Sequence, residues 1–230
     1  MKVSLYFKEW NTDSPELLLQ QATERSSSVV FSTSFGKEDQ VITYLIKNGN
    51  LPISIFTLDT GRLFPETYEV YNRTINKYQL PIQAFAPNHS EVEELLRKKG
   101  PLSFYESVEN RKECCAIRKL DPLKRALESA EIWVTGLRKE QSPNRQEMEQ
   151  VEWDSVNNIL KIHPLFQWTG EQVNQFIADH RIPINALHDH GFPSIGCQPC
   201  TRAVNKGEDE RAGRWWWEDS KKECGLHQTK

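Results

Sequence analysis

The sequence predicts an α/β fold: a mostly parallel sheet with helices on both faces, followed by an irregular C-terminal tail. Three observations carry this expectation. Short β-rich runs alternate with helical stretches as far as residue 135. Two of the early runs end in loops of small or turn-forming residues, at Ser32-Thr33-Ser34-Phe35-Gly36 and Asp59-Thr60-Gly61. From Pro183 onward the periodicity fades and Pro, Gly, Arg and Trp accumulate. Strand–helix alternation is the pattern of a parallel sheet whose crossovers cover both faces.

The elements follow in order. Pro15–Arg25 reads as a helix, with Ser14 in N-cap position and Pro15 in the first turn. Residues 28–32 form a β-rich run, and helical spacing resumes over 38–47. Residues 53–58 give a second buried-type strand, Pro65–Tyr78 a helix and Ile82–Phe85 a third strand. A helix is predicted over 90–99, with Ser90 and Glu93 in capping-box spacing. Residues 115–129 read as helix interrupted at Pro122, and 131–135 as a further strand. Val151–Asp154 and Ile159–Ile162 alternate around Asn157-Asn158, which predicts a hairpin. A capped helix is expected over 169–180. Neither repeats nor a low-complexity linker divide the 230 residues, so one domain, 1–230, is expected, with a tail from about residue 205 to 230.

Composition narrows the function classes. Charged residues are 27% and the net charge is −3, which argues against broad nucleic-acid binding. Residues 1–10 lack the apolar core and small-residue cleavage site of a signal peptide, and no apolar run approaches membrane-spanning length. A cytoplasmic chain is expected. In a reducing compartment, paired cysteines point to metal binding or catalysis before disulfides.

The cysteines divide into a quartet and one spare. Cys114-Cys115 and Cys197-Gln198-Pro199-Cys200 supply four thiols, enough for a zinc ion or an iron–sulfur cluster. Adjacent side chains diverge, so Cys114 and Cys115 serve one site only where the backbone bends. A multi-cornered cluster accepts that more readily than one tetrahedral ion. Arg118 and Lys119 follow within one helical turn, either offsetting negative sulfur charge or solvated. The loop Ser32 to Lys37, between strand and helix, suits an anion held by backbone N–H groups and a helix N-terminus, although it matches neither the P-loop nor the dinucleotide fingerprint. The loop at Asp59-Thr60-Gly61-Arg62 opens on the same sheet edge. In the tail, Arg211 and Arg214 stand three apart and suit a forked anion clamp, and Trp215-Trp216-Trp217 cannot all face one core. The spare thiol, Cys224, has Lys221, Lys222 and His227 nearby, which favour a thiolate nucleophile. An incidental exposed thiol is the competing reading.

Taken together these motifs resemble the sulfonucleotide reductases, specifically the iron–sulfur-containing adenylyl-sulfate (APS) reductases of assimilatory sulfur metabolism. The likeness runs through residues 32–39, 58–67, 114–119 with Pro122-Leu123, and 136–142 to Arg145. It continues through Cys197-x-x-Cys200, Arg211-x-x-Arg214-Trp215-Trp216-Trp217 and Glu223-Cys224-Gly225-Leu226-His227. Lys37 stands where relatives more often carry a small residue. The resemblance implies an adenine-nucleotide α-hydrolase-like fold and a 4Fe–4S cluster on Cys114, Cys115, Cys197 and Cys200. It implies that Cys224 attacks the sulfuryl sulfur of adenosine 5′-phosphosulfate, leaving an enzyme S-sulfocysteine from which thioredoxin or a similar dithiol protein releases sulfite. By motif, Ser32, Ser34 and Gly36 would face the phosphosulfate. Lys119, Arg138, Arg145, Arg211, Arg214 and His227 would supply charge or hydrogen bonds to it. Leu58, Thr60 and Gly136 would line the adenosine pocket. A homo-oligomer is compatible with this reading; nucleic-acid and membrane partners are not expected. The alternatives are a reductase for the 3′-phosphorylated nucleotide (PAPS), or one accepting both, and more remotely a metal- or cluster-bearing tRNA-thiolation module.

Overall fold

The structure, a computed structural model, describes residues 9–10, 14–142, 145 and 147–218. Its centre is one sheet of β1 (Val29–Thr33), β2 (Ser54–Leu58), β3 (Ile82–Phe85), β4 (Ile132–Val134), β5 (Val151–Asp154) and β6 (Ile159–Ile162), in the order β3-β2-β1-β4-β6-β5. All neighbours run parallel except β5, which returns antiparallel on β6 as the hairpin reading expects. Phe31 of β1 lies between Ile55 and Val134, so the first strand is central and its middle residue has apolar neighbours on both edges.

Helices cover both faces. On one side α1 (Pro15–Arg25), α2 (Lys37–Asn48), α3 (Pro65–Tyr78) and α7 (Gly170–Asp179) contribute apolar faces such as Leu18, Leu19, Ile42, Leu45, Val70 and Val173. On the other, α6 (Asp121–Leu127) presses Leu123 and Leu127 onto Phe56, Trp133 and Ile159. Each such side chain, fully buried, stabilises the fold by about 1.5–3 kcal/mol before conformational entropy is set against it.

Two predicted boundaries change. Helix α4 (His89–Lys99) starts one residue earlier than expected, and Asn88, not Ser90, is its cap: the Asn88 side chain accepts from Ser90 N at 3.1 Å. The helix expected over 115–129 is three pieces. An α-helix, α5 (Val108–Cys115), begins behind Ser107, whose hydroxyl accepts from Asn110 N at 3.1 Å. A π turn, Ala116–Leu120, follows, and α6 carries Pro122 in its first turn, where the missing N–H costs nothing.

After α7 the chain is irregular, with short 3-10 turns at Ala186–His190 and Gln198–Cys200. It doubles back on itself where Thr201 bridges Arg214 and Arg202 N donates to Gly213 O at 3.0 Å.

Candidate active site

Strand order reverses direction between β1 and β4, and open α/β sheets bind ligands at that crevice, outside the carboxyl ends of the strands. A cavity of about 230 Å³ sits there. Its floor is the loop after β1, Ser32 to Gly36, and the loop after β4, Thr135 and Gly136. Leu58 and Thr57 border it from β2.

The β1 loop is shaped by its own side chains. Phe35 adopts a left-handed backbone, φ 61°, which is costly for a non-glycine residue. It is held there by burial and by stacking on Tyr71, ring centroids 4.6 Å apart. Its N–H donates to Thr33 Oγ1 at 3.0 Å. Ser34 donates twice to Asp39 Oδ2, from N at 2.6 Å and from Oγ at 2.8 Å. Burial pushes the Asp39 carboxyl up to about 6 against those two donors. Ser32 Oγ accepts from Trp133 Nε1 at 2.9 Å, so its own O–H remains to donate. Gly36 is the N-cap of α2 and no side chain caps that end, so the first N–H groups of the helix open on the cavity loop. Gly136 must be glycine for a packing reason. A Cβ there would run into Asp39 Oδ1 and stand 3.3 Å from Asp39 N.

The opposite wall is cationic. Lys119, Arg145, Arg211 and Arg214 line the cavity, with Lys37 at the start of α2 and one carboxylate, Glu210, beside Arg211. Lys37 Nζ donates to Asn174 Oδ1 at 2.8 Å. Arg145 is buried and donates to Gln141 Oε1. Arg214 is buried with its guanidinium 5.0 Å from the Trp215 ring, Nη1 donating to Ser194 Oγ at 3.3 Å and Nε lacking a partner. Such a wall offsets repulsion between anions brought together inside it.

Two expected substrate residues point elsewhere. Arg138 does not reach the cavity: its side chain is buried against Glu38 at 2.7 Å and Glu140 at 3.1 Å, tying the loop after β4 to α2. Thr60 is fully buried, but its Oγ1 lies 3.3 Å from Cys197 Sγ and its carbonyl accepts from Arg118 Nη1 at 2.7 Å. It therefore belongs to the cysteine side. Cys224 and His227 lie outside the described residues. Sequence reading missed Asp39 as the organiser of the β1 loop, although its motif contained it, and missed the cavity contributions of Thr135, His188 and Ser194.

Cys114, Cys115, Cys197 and Cys200 are free thiols. A π turn, Ala116–Leu120, follows directly behind Cys115, and π turns recur at functional sites. The turn carries Arg118 to Thr60 and Lys119 to the cavity. The thiols act on one another electrostatically. Burial and then Cys197 and Cys115 push Cys200 up to about 12. Burial raises Cys114, which Arg62 and Arg118 partly offset. Among the described residues no group of three or more His, Cys, Asp or Glu side chains is placed to hold a metal ion. By chemistry alone, four thiols from two segments are a donor set of the kind that ligates an iron–sulfur cluster.

The comparisons with known proteins agree with this geometry. The profile of the phosphoadenosine phosphosulfate reductase domain matches residues 28–203. An adenosine 5′-phosphosulfate reductase from Allochromatium vinosum is 51% identical over 211 residues, 91% of this chain and 82% of that protein. One from Agrobacterium fabrum is 51% identical over 199 residues, 86% of this chain and 76% of that protein. The crystal structure of a phosphoadenylyl-sulfate (PAPS) reductase from Candida auris, in a phosphate complex, superposes with a TM-score of 0.72 at 28% identity, covering 88% of this chain and 94% of that one.

Proposed function

The chain belongs to the phosphoadenosine phosphosulfate reductase family, and from that premise we propose that it reduces adenosine 5′-phosphosulfate to sulfite and AMP in sulfate assimilation. The observation that carries the reading is the cavity at the strand switch point, floored by the β1 loop and walled by Lys119, Arg145, Arg211 and Arg214. A nucleotide with a terminal sulfuryl group fits its charge, and the relatives named for that substrate are about half identical to this chain.

The reaction runs in two displacements. The thiolate of Cys224 attacks the sulfuryl sulfur; an S–S bond forms, the S–O bond to the phosphate breaks, and AMP leaves with the electron pair. Arg145, Arg211 and Arg214 offset the repulsion between thiolate and sulfuryl oxygens, and the N–H groups of α2 with the Ser32 hydroxyl hold the phosphate end. Leu58 and Gly136 border the adenosine. His227 adds a donor near the nucleophile. In the second displacement a thiolate of thioredoxin or a similar dithiol protein attacks the sulfur of Cys224, and sulfite leaves with its electron pair. The partner's second thiol resolves the mixed disulfide, so the dithiol supplies both electrons and Cys224 is restored.

Cys114, Cys115, Cys197 and Cys200 would hold a 4Fe–4S cluster. Bound there, it would supply a fixed centre of charge beside the substrate; Arg118 and Lys119 connect its surroundings to the cavity. No helix among the described residues is long and apolar enough to cross a membrane, and a cytoplasmic setting matches reduced thiols.

Mass spectrometry of the intact protein after mixing with adenosine 5′-phosphosulfate, without reductant, tests this. One added SO₃ unit, mapped to Cys224, is expected; an unmodified Cys224 beside released sulfite would refute it. A second reading, preference for the 3′-phosphorylated nucleotide, draws on the Candida auris likeness. Turnover on the two nucleotides separates them.

A further inference from the structure

The last described residues are fastened to the cysteine helix. Arg111 of α5 and Glu218 form a two-pronged ion pair, Nε to Oε1 and Nη2 to Oε2, both at 3.0 Å. Their side chains are 7% and 4% exposed. The Arg111 guanidinium also lies 4.7 Å from the Trp215 ring, and Arg214 lies 5.0 Å from that same ring. Trp215 itself is 2% exposed, adopts a left-handed backbone, φ 42°, and donates its N–H to Cys200 O at 3.2 Å. Arg111 also hydrogen-bonds Cys115. One buried stack thus links both cysteine pairs, the cavity cation Arg214, and the residue from which the final segment departs.

A buried ion pair is a weak stability device, since apolar packing of equal volume usually does as well. Its strength is geometric: a guanidinium fork meets a carboxylate in one orientation only. Cys224 follows Glu218 by six residues, a span of at most roughly 20 Å. Where Glu218 is pinned therefore bounds where the sulfur can be delivered.

We propose that Glu218, held by Arg111 and set by Trp215, is the positioning anchor for the Cys224 segment, fixing its departure point against the cysteine site. The anchor acts on delivery of the nucleophile more than on nucleotide binding, because Arg214, although it shares the Trp215 ring with Arg111, has its own holds on Ser194 and in the Thr201 bridge. This rests on the reductase reading above.

The test uses the full-length protein with its cofactor in place. Glu218→Gln keeps the shape and removes the charge. With saturating adenosine 5′-phosphosulfate and no reductant, the rate of SO₃ gain at Cys224 should fall about 100-fold, the scale of a misplacement near 1 Å. The nucleotide's dissociation constant should move less than about threefold and the visible absorbance should stay unchanged. Without nucleotide, the rate at which iodoacetamide alkylates Cys224 should change as well. Arg111→Lys, which keeps the charge but loses the fork, should move the same readouts in the same direction by a smaller factor, and it serves if Glu218→Gln does not fold. Unaltered SO₃ transfer in the folded variants would overturn the anchor. So would a loss fully recovered by more nucleotide, which would mean that Glu218 acts on binding. Failure of the unaltered protein to gain SO₃ at all would instead sink the reductase reading, and the anchor with it.

Discussion

Strand β1 and the segment around Arg214 both border the cavity, yet different forces fix them. β1 is paired on both edges, and Phe31 is buried between apolar neighbours, so its loop starts from a rigid, non-polar base. The segment 197–218 has one isolated bridge, Thr201 to Arg214, scattered backbone bonds such as Gln198 N to Arg62 O at 2.8 Å and Val204 N to Gly191 O at 2.9 Å, and a set of side-chain fastenings. These are the Arg111–Glu218 pair, the Trp215 ring between two guanidiniums, and the Arg202–Glu208 fork at 2.9 and 3.1 Å. The nucleotide side is thus built by packing and the cationic side by a few directional contacts. Substitutions on the first should register mainly as stability, and on the second mainly as activity.

The largest test of that division is Cys224→Ser. It should abolish sulfite release in a turnover assay while leaving thermal stability and visible absorbance unchanged. Removal of Cys197 should instead take the visible colour with it, and a colourless zinc protein would contradict the cluster. Next comes Gly196→Ala. A Cβ at 196 would collide with the Arg214 guanidinium and stand 3.0 Å from its Nη1. Displacing one preorganised cation costs on the order of 100-fold in turnover. We expect a loss of kcat/KM of that order with the melting temperature nearly unmoved. A protein that melts early at full specific activity would reverse the assignment of forces.

The same division explains what the sequence disclosed. β1, β2 and β4 were legible because each is a short apolar run ending in turn residues, and Phe31, Phe56 and Trp133 are buried as such runs require. The hairpin was legible from Asn157-Asn158 between alternating strands, where Asn158 does take a positive φ of 53°. Helix α5 was not. Its sequence, Val108 to Cys115, has no apolar stripe, and the residues it buries are Arg111 and Cys114. Its one sequence signal, the Ser107 cap, was not read as such. Arg111, Arg118 and Glu218 look like solvated charges in one dimension, and their burial depends on partners up to 107 residues away. Arg138, expected on substrate by motif, is paired in this structure with Glu38 and Glu140. The two cysteine pairs were legible because such pairs are rare, but the π turn directly behind Cys115 was not.

On the packed side, Gly136→Ala sharpens the contrast. The new methyl meets Asp39, which cannot swing aside without losing both Ser34 donors. Overpacking of this kind costs about 1–3 kcal/mol. Chemical denaturation of the protein without nucleotide should show that loss at an unchanged m-value.

The smallest effect comes from Asp39 itself. Burial raises its carboxyl from the ordinary 3.8 to about 6, against the two Ser34 donors that favour the ionised form. The folded state therefore binds the proton more tightly than the unfolded chain between those two values. This contribution to stability is complete below 3.8 and fades as pH rises through 6. Between pH 5 and pH 8 it amounts to about 1 kcal/mol. Asp39→Asn removes the titration and keeps an oxygen for both Ser34 donors, so its stability should be flatter over that range. Relative to the unaltered protein, the variant should gain about 1 kcal/mol on moving from pH 5 to pH 8, measured by urea denaturation at each pH. Parallel curves for the two proteins would mean that water or a backbone shift already solvates Asp39, and that this end of the cavity is less tightly packed than Gly136 implies.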